Sequence, residues 1–230
     1  QGLIFHLETK VTGCEVKNGK AVVTAQKGDK TLTFEADKVL VSVGRRPNTA
    51  GLNLEAAGVT LDARGRIETD AQLRTKAAGI WAIGDLAAGP MLAHKAAAEA
   101  RQVAERIAGR TVPALNYDLV PGVVYTSPEV ASAGLTERTA KERGIEYKVG
   151  KSYYAANGRA LASDAADGYA KVLSDKATDK LLGVQIVGAG ASELIAEAVA
   201  HMEYGGSAED IALCVHAHPT LSEVLKAAAE

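Results

Sequence analysis

The sequence predicts an α/β segment followed by an α+β unit with a mainly antiparallel sheet. Three observations carry this expectation. Residues 3–17, 20–27 and 31–43 alternate apolar and polar side chains, and the turn pairs Asn18-Gly19 and Gly28-Asp29 separate them. The third run ends in Val39-Leu40-Val41-Ser42-Val43, a near-continuous apolar stretch that fits a strand buried on both faces. Beyond residue 116, short strand and helix patterns intermix without an internal repeat.

Composition narrows the function classes. The 230 residues suffice for one large or two modest domains, and 47% hydrophobic content supplies a sizeable core. A formal net charge of −2, with acids and bases mixed along the chain, gives no footprint for nucleic acid and no polybasic stretch for a membrane surface. No apolar run reaches the ~18 residues of a spanning helix. A cytoplasmic protein is expected. The two cysteines, Cys14 and Cys214, form no CxxC pair, so neither a metal site nor a local redox disulfide is expected. The chain opens on Gln1 inside an alternating pattern, which suggests a piece of a longer polypeptide.

Gly44-Arg45-Arg46-Pro47-Asn48 breaks the strand pattern and marks a first candidate boundary. A loop-rich stretch over 52–69 precedes a second buried strand, Ile80-Trp81-Ala82-Ile83, closed by Gly84-Asp85. A long helix is predicted over 91–108, with Pro90 at its start and Gly109 as its C-cap. Residues 111–116 read as a linker. Strands are expected at 123–125, 130–133, 147–154, 169–174 and 181–187. Helices are expected at 136–143, closed by Gly144, at 192–204, at 207–214 and from near Thr220.

Three segments hold candidate chemistry. In the first, Gly84 allows a ligand close to the backbone, Asp85 can accept hydrogen bonds from sugar-like hydroxyls, and the following helix points its electropositive end into the same space. Spacing alone favours a plain strand, polar turn and capped helix. The second is His216-Ala217-His218-Pro219-Thr220-Leu221-Ser222-Glu223. Thr220 and Glu223 have capping-box spacing, which explains them structurally. Alternatively, His218 is a proton-transfer base and Glu223 fixes its tautomer, although one side chain could not fully cap and orient together. Metal ligation by the HxH pair is open on spacing. The third, Val43 to Asn48, reads mostly as a strand end with solvated arginines. Gly188-Ala189-Gly190 imitates a dinucleotide fingerprint, but Glu193 occupies the third glycine position and repels a pyrophosphate.

The strings GIWAIGD, GPMLAHKA and HPTLSE resemble segments of the pyridine-nucleotide disulfide oxidoreductases, and MLAHKA and HPTLSE resemble the dihydrolipoamide dehydrogenases among them. The resemblance spans nearly the whole chain. It implies that Asp85 binds the ribitol of FAD and that the backbone of Met91, Leu92, Ala93 and His94 faces the flavin ring. It implies that His218 is the active-site base with Glu223 as its partner, and that the His218–Pro219 bond is cis. VGRRPN resembles the join between two of the family's domains, which would put Gly44 near bound NAD. His216 receives no role.

The same resemblance divides the chain into the end of a nicotinamide-binding, Rossmann-like domain (1–44), a central FAD-flanking segment (45–115) and an α+β interface domain for dimerisation (116–230). It implies a homodimer, FAD and NAD as cofactors, a lipoyl substrate and an acyltransferase subunit as partner. The family's other half carries both GxGxxG motifs and the redox cysteine pair, which have no counterpart here. The 230 residues alone are therefore expected to dimerise but not to catalyse. A glutathione-reductase-like enzyme and a stand-alone dimerisation module are the alternatives; a mercuric reductase fits less well.

Overall fold

A computed structural model describes all 230 residues, which form two compact units, Gln1–Arg46 and Pro47–Glu230. The first unit is an antiparallel meander of β1 (Lys10–Lys17), β2 (Lys20–Lys27) and β3 (Lys30–Ala36), ordered β1-β2-β3. Asn18 and Gly19 both take positive φ, the geometry that a two-residue hairpin turn needs to match strand twist. Gly28 supplies the single left-handed residue of the second turn.

Two predicted strand extensions do not form. Residues 3–9 and 37–43 join no ladder, and Leu40, Val41 and Val43 are exposed. The apolar run signals a need for burial, but a strand also needs neighbours for its N–H and C=O groups, and the chain offers none there. Ile80–Ile83 is corrected likewise. It is extended but holds only the isolated bridge between Arg74 and Trp81, so no sheet ends at Gly84-Asp85.

In the second unit, Val59, Ile67 and Ala82 form a small buried cluster under looped chain. Helix α1 (Ala93–Ile107) follows. Its N-cap is Leu92, so Pro90 lies two residues before the cap rather than in the first turn, and the C-cap is Ala108 rather than Gly109, which follows it in the left-handed region at φ 79°.

The main core lies in the antiparallel sheet ordered β4-β5-β8-β7-β6. Its strands are β4 (Gly122–Val124), β5 (Glu129–Gly134), β6 (Tyr147–Tyr153), β7 (Tyr169–Asp175) and β8 (Leu181–Gly188). Alternation sends Ala170 and Val172 of β7, and Val184 and Ile186 of β8, into one buried cluster. Helix α4 (Ala191–Glu203) covers β5 and β8 with Ile195, Ala198 and Met202. Helix α6 (Glu223–Ala229) covers β6 and β7 with Val224, Leu225 and Ala228. The short helices α2 (Glu137–Glu142), α3 (Gly158–Ala162) and α5 (Ala208–Leu213) complete the unit; α3 was not legible in the sequence. Thr136 caps α2 and Gly144 ends it with φ 67°. No helix is long and apolar enough to cross a membrane.

Close backbone approach fixes where α6 sits. A Cβ at Gly150 on β6 would stand 1.9 Å from the carbonyl oxygen of Ala228. Gly150→Ala is therefore expected to lower stability by about 1–3 kcal/mol by forcing α6 off the sheet. A lower urea midpoint at unchanged slope checks this.

Candidate active site

The structure places His218 on the loop between α5 and α6, immediately before the cis bond to Pro219. Its ring is 77% exposed rather than packed in the core. Nδ1 lies 2.9 Å from Oε1 of Glu223. A carboxylate oxygen accepts, so Nδ1 carries the proton and donates it. Nε2 is then the nitrogen with a lone pair, and no group of the chain bonds to it. This is the tautomer and orientation a proton-accepting imidazole needs.

Glu223 does more than expected. Oε2 accepts from the backbone N–H of Thr220 at 2.8 Å while Oε1 holds His218. The two oxygens serve two partners, so capping and orienting do not compete. Half of the predicted capping box exists. The other half does not, because Thr220 Oγ1 donates to the Ala217 carbonyl at 2.7 Å and α6 starts only at Glu223. The Thr220 N–H first, and the His218 ring second, hold the Glu223 carboxyl below the usual carboxylate range.

The loop is pinned from several elements. Asn157, 7% exposed, donates to the Thr220 carbonyl at 3.0 Å and caps α3 through its oxygen. Lys226 of α6 donates to the Cys214 carbonyl at 2.9 Å. His216 is held at both ring nitrogens, Nδ1 by the Cys214 carbonyl at 3.1 Å and Nε2 by Glu197 of α4 at 2.8 Å. Sequence reasoning missed Asn157, Glu197 and Lys226, since no local spacing links them to the HxH string. A cavity of about 290 Å³ opens beside the His218 ring, lined by Ser152, Asn157, His218, Glu223 and Lys226.

A second site-like arrangement surrounds Gly84 and Asp85. They form a 3-10 turn over Gly84–Leu86 that packs on α1, and Asp85 is half-buried. No side chain caps α1, so the N–H groups of its first turn keep their outward capacity and positive potential. Met91 and Leu92 lead into that end and Ala93 and His94 begin it. The His94 ring turns away to bond the Pro121 carbonyl at 2.8 Å. Behind the turn, Lys95 and Glu99 are fully buried and 3.1 Å apart. Glu99 also accepts from Tyr117 at 2.6 Å, and burial, then this bond, raise the Tyr117 pKa. The i,i+4 spacing was visible in the sequence, but such pairs are ordinarily solvent-exposed.

Gly44 lies exposed in the first unit, with φ 107°. The false fingerprint is closed by the protein itself: Glu129 accepts from the Ser192 N–H at 2.8 Å at the start of α4, where a phosphate would otherwise sit.

Comparison with known proteins gives the same outline. The pyridine nucleotide-disulphide oxidoreductase profile matches residues 1–100, and the dimerisation domain of the same family matches 120–229. The chain belongs to the pyridine nucleotide-disulphide oxidoreductase family. It is 51% identical over its whole length to the dihydrolipoyl dehydrogenase of Cupriavidus necator, covering 48% of that protein. It is 49% identical to the mitochondrial dihydrolipoyl dehydrogenase of Pisum sativum, covering all of this chain and 46% of that protein. Among solved structures, LpdA from Mycobacterium tuberculosis superposes with TM-score 0.90 at 27% identity, over 96% of this chain and 48% of its own. The chain thus spans about half the length of the curated relatives it matches.

The linkage sign for Glu223 follows from its lowered pKa. Its stabilisation of the loop is complete above the usual carboxylate range and is lost as pH falls through the depressed value. The Thr220 amide resonance should therefore shift with acid at a pH below that of an ordinary glutamate, and Glu223→Gln should abolish the step. A midpoint at the ordinary value would contradict the geometry.

Proposed function

We propose that the chain is the carboxy-terminal half of a dihydrolipoamide dehydrogenase. The whole enzyme would catalyse dihydrolipoamide + NAD⁺ → lipoamide + NADH + H⁺. The observation that carries this is the exposed His218 imidazole, oriented through Nδ1 by Glu223 with Nε2 left unbonded. Nε2 takes a proton from the dithiol, because the thiolate, not the thiol, attacks a disulfide. Glu223 stabilises the resulting imidazolium and returns the ring to its starting tautomer.

The residues around Gly84 fit a flavin dinucleotide. Asp85 stands at the turn, where its carboxylate can accept from ribitol hydroxyls, and the uncapped α1 end, with Met91, Leu92, Ala93 and His94, can face the ring. FAD, when bound, would carry the electron pair between the dithiol and NAD. Gly44 would lie near NAD. The relatives' names support this reading of the activity, and the matching dimerisation profile supports a homodimer in which residues 116–230 form the interface and His218 serves the partner's cleft. Residues 1–44 and 45–115 would be the end of the nicotinamide domain and the central domain. A lipoyl-bearing acyltransferase subunit would be the partner, and the cytoplasm the compartment.

In the whole enzyme, His218→Ala should lower the rate of NAD⁺ reduction by dihydrolipoamide by about 10²–10⁴-fold, with flavin content unchanged. A rate within a factor of ~3 of wild type would overturn the base assignment. The 230 residues alone should elute without stoichiometric yellow flavin and sediment as a dimer at micromolar concentration. Retained flavin, or only monomer, would contradict the respective part of the proposal.

A further inference from the structure

The structure assigns a positioning role to Lys95 and Glu99: together they hold the Gly84 peptide groups and so set the place of Asp85. This rests on the flavin reading of that turn. Both polar groups of Gly84 are gripped from α1. Its N–H donates to Oε2 of Glu99 at 2.7 Å, and its carbonyl accepts from Nζ of Lys95 at 2.9 Å. Oε1 of Glu99 is shared between Lys95 at 3.1 Å and the Tyr117 hydroxyl at 2.6 Å. Both charged side chains are 0% exposed.

Stability alone does not account for this arrangement. Taking two charges out of water costs more than most buried pairs return, and an apolar pair of similar volume is often as stable or more so. An apolar pair, however, could not fix a peptide by its N–H and its C=O at once. Gly84 needs that fixing: φ is 65°, and a Cβ there would lie 3.2 Å from Ala96 Cβ, so the turn sits hard against the helix. The same Lys95 stem and the Tyr117 ring pack on Gly89, within 3.1 and 3.2 Å of where its Cβ would stand. One buried network therefore ties the Gly84-Asp85 turn, the Gly89 loop and the helix end into a single rigid wall. Pre-set geometry of this kind lowers what a ligand must organise on binding.

The test uses the Lys95→Met/Glu99→Leu double variant of the whole enzyme. We expect flavin to be released about tenfold faster, read from recovery of free-flavin fluorescence on dilution. A purely structural pair would move the melting midpoint and leave flavin release alone; release at the wild-type rate overturns the inference. In the 230-residue chain itself, the Gly84 amide proton should lie downfield and move upfield in Glu99→Gln, and an unmoved resonance counts equally against it. Should the double variant not fold, Glu99→Gln in the whole enzyme replaces it, with faster release expected and unchanged release decisive against. Asp85→Ala separates the two levels. If it keeps flavin like wild type, the flavin reading fails and takes this inference with it. If it loses flavin while the double variant does not, the inference fails alone.

Discussion

Burial of one face of the five-stranded sheet beneath α4 and α6 is the constraint on which the second unit depends. Antiparallel strands alternate their side chains, so Ala170, Val172, Val184 and Ile186 must all find cover on the same side. The two helices that provide it also bring Glu197 and Glu223 to the loop that joins α5 to α6. The position of His218 is thus a by-product of core packing. No residue of the His218 loop enters the core ahead of Leu221, yet the loop is fixed because each end is anchored to a helix the core has already placed.

Hydrogen bonds to main-chain groups do most of the remaining positioning. Asn157, Lys226 and Thr220 each hold a carbonyl of the loop or its approach, and Glu223 holds an amide. Buried or half-buried peptide groups need partners in any case, so using polar side chains for this satisfies the backbone and orients the site with the same bonds. The turn at Gly84 follows the same logic with charged groups.

The sheet and its helices other than α3 were legible because alternation, glycine stops and capping residues act locally. Thr136 with Gly144, and Asn18 with Gly19, behave as their types require. What was not legible depends on partners distant in sequence. The apolar run at Val39 to Val43 encodes a wish to be covered, not the strands that would cover it. Ile80 to Ile83 carries the same signal and meets only one bridge. At the sites, HPTLSE exposed the His218–Glu223 pair because both lie within one loop and turn. The Glu197–His216 bond spans 19 residues and the Asn157–Thr220 bond 63, so only the fold reveals them. Sequence reasoning missed Lys95 and Glu99: their i,i+4 spacing was there to read, but spacing says nothing about which helix face meets the turn.

The two histidines of the HxH string have opposite circumstances. A chelating pair must turn a lone pair from each ring toward one ion. The His216 side chain is 7% exposed, and its two nitrogens already face a carbonyl and a carboxylate. Neither nitrogen is free to turn toward a shared ion. A zinc or copper ion arriving at this loop would meet a lone monodentate ring, a weak ligand that a thiol readily strips away. By tying up one imidazole, the fold keeps this loop from becoming a metal trap.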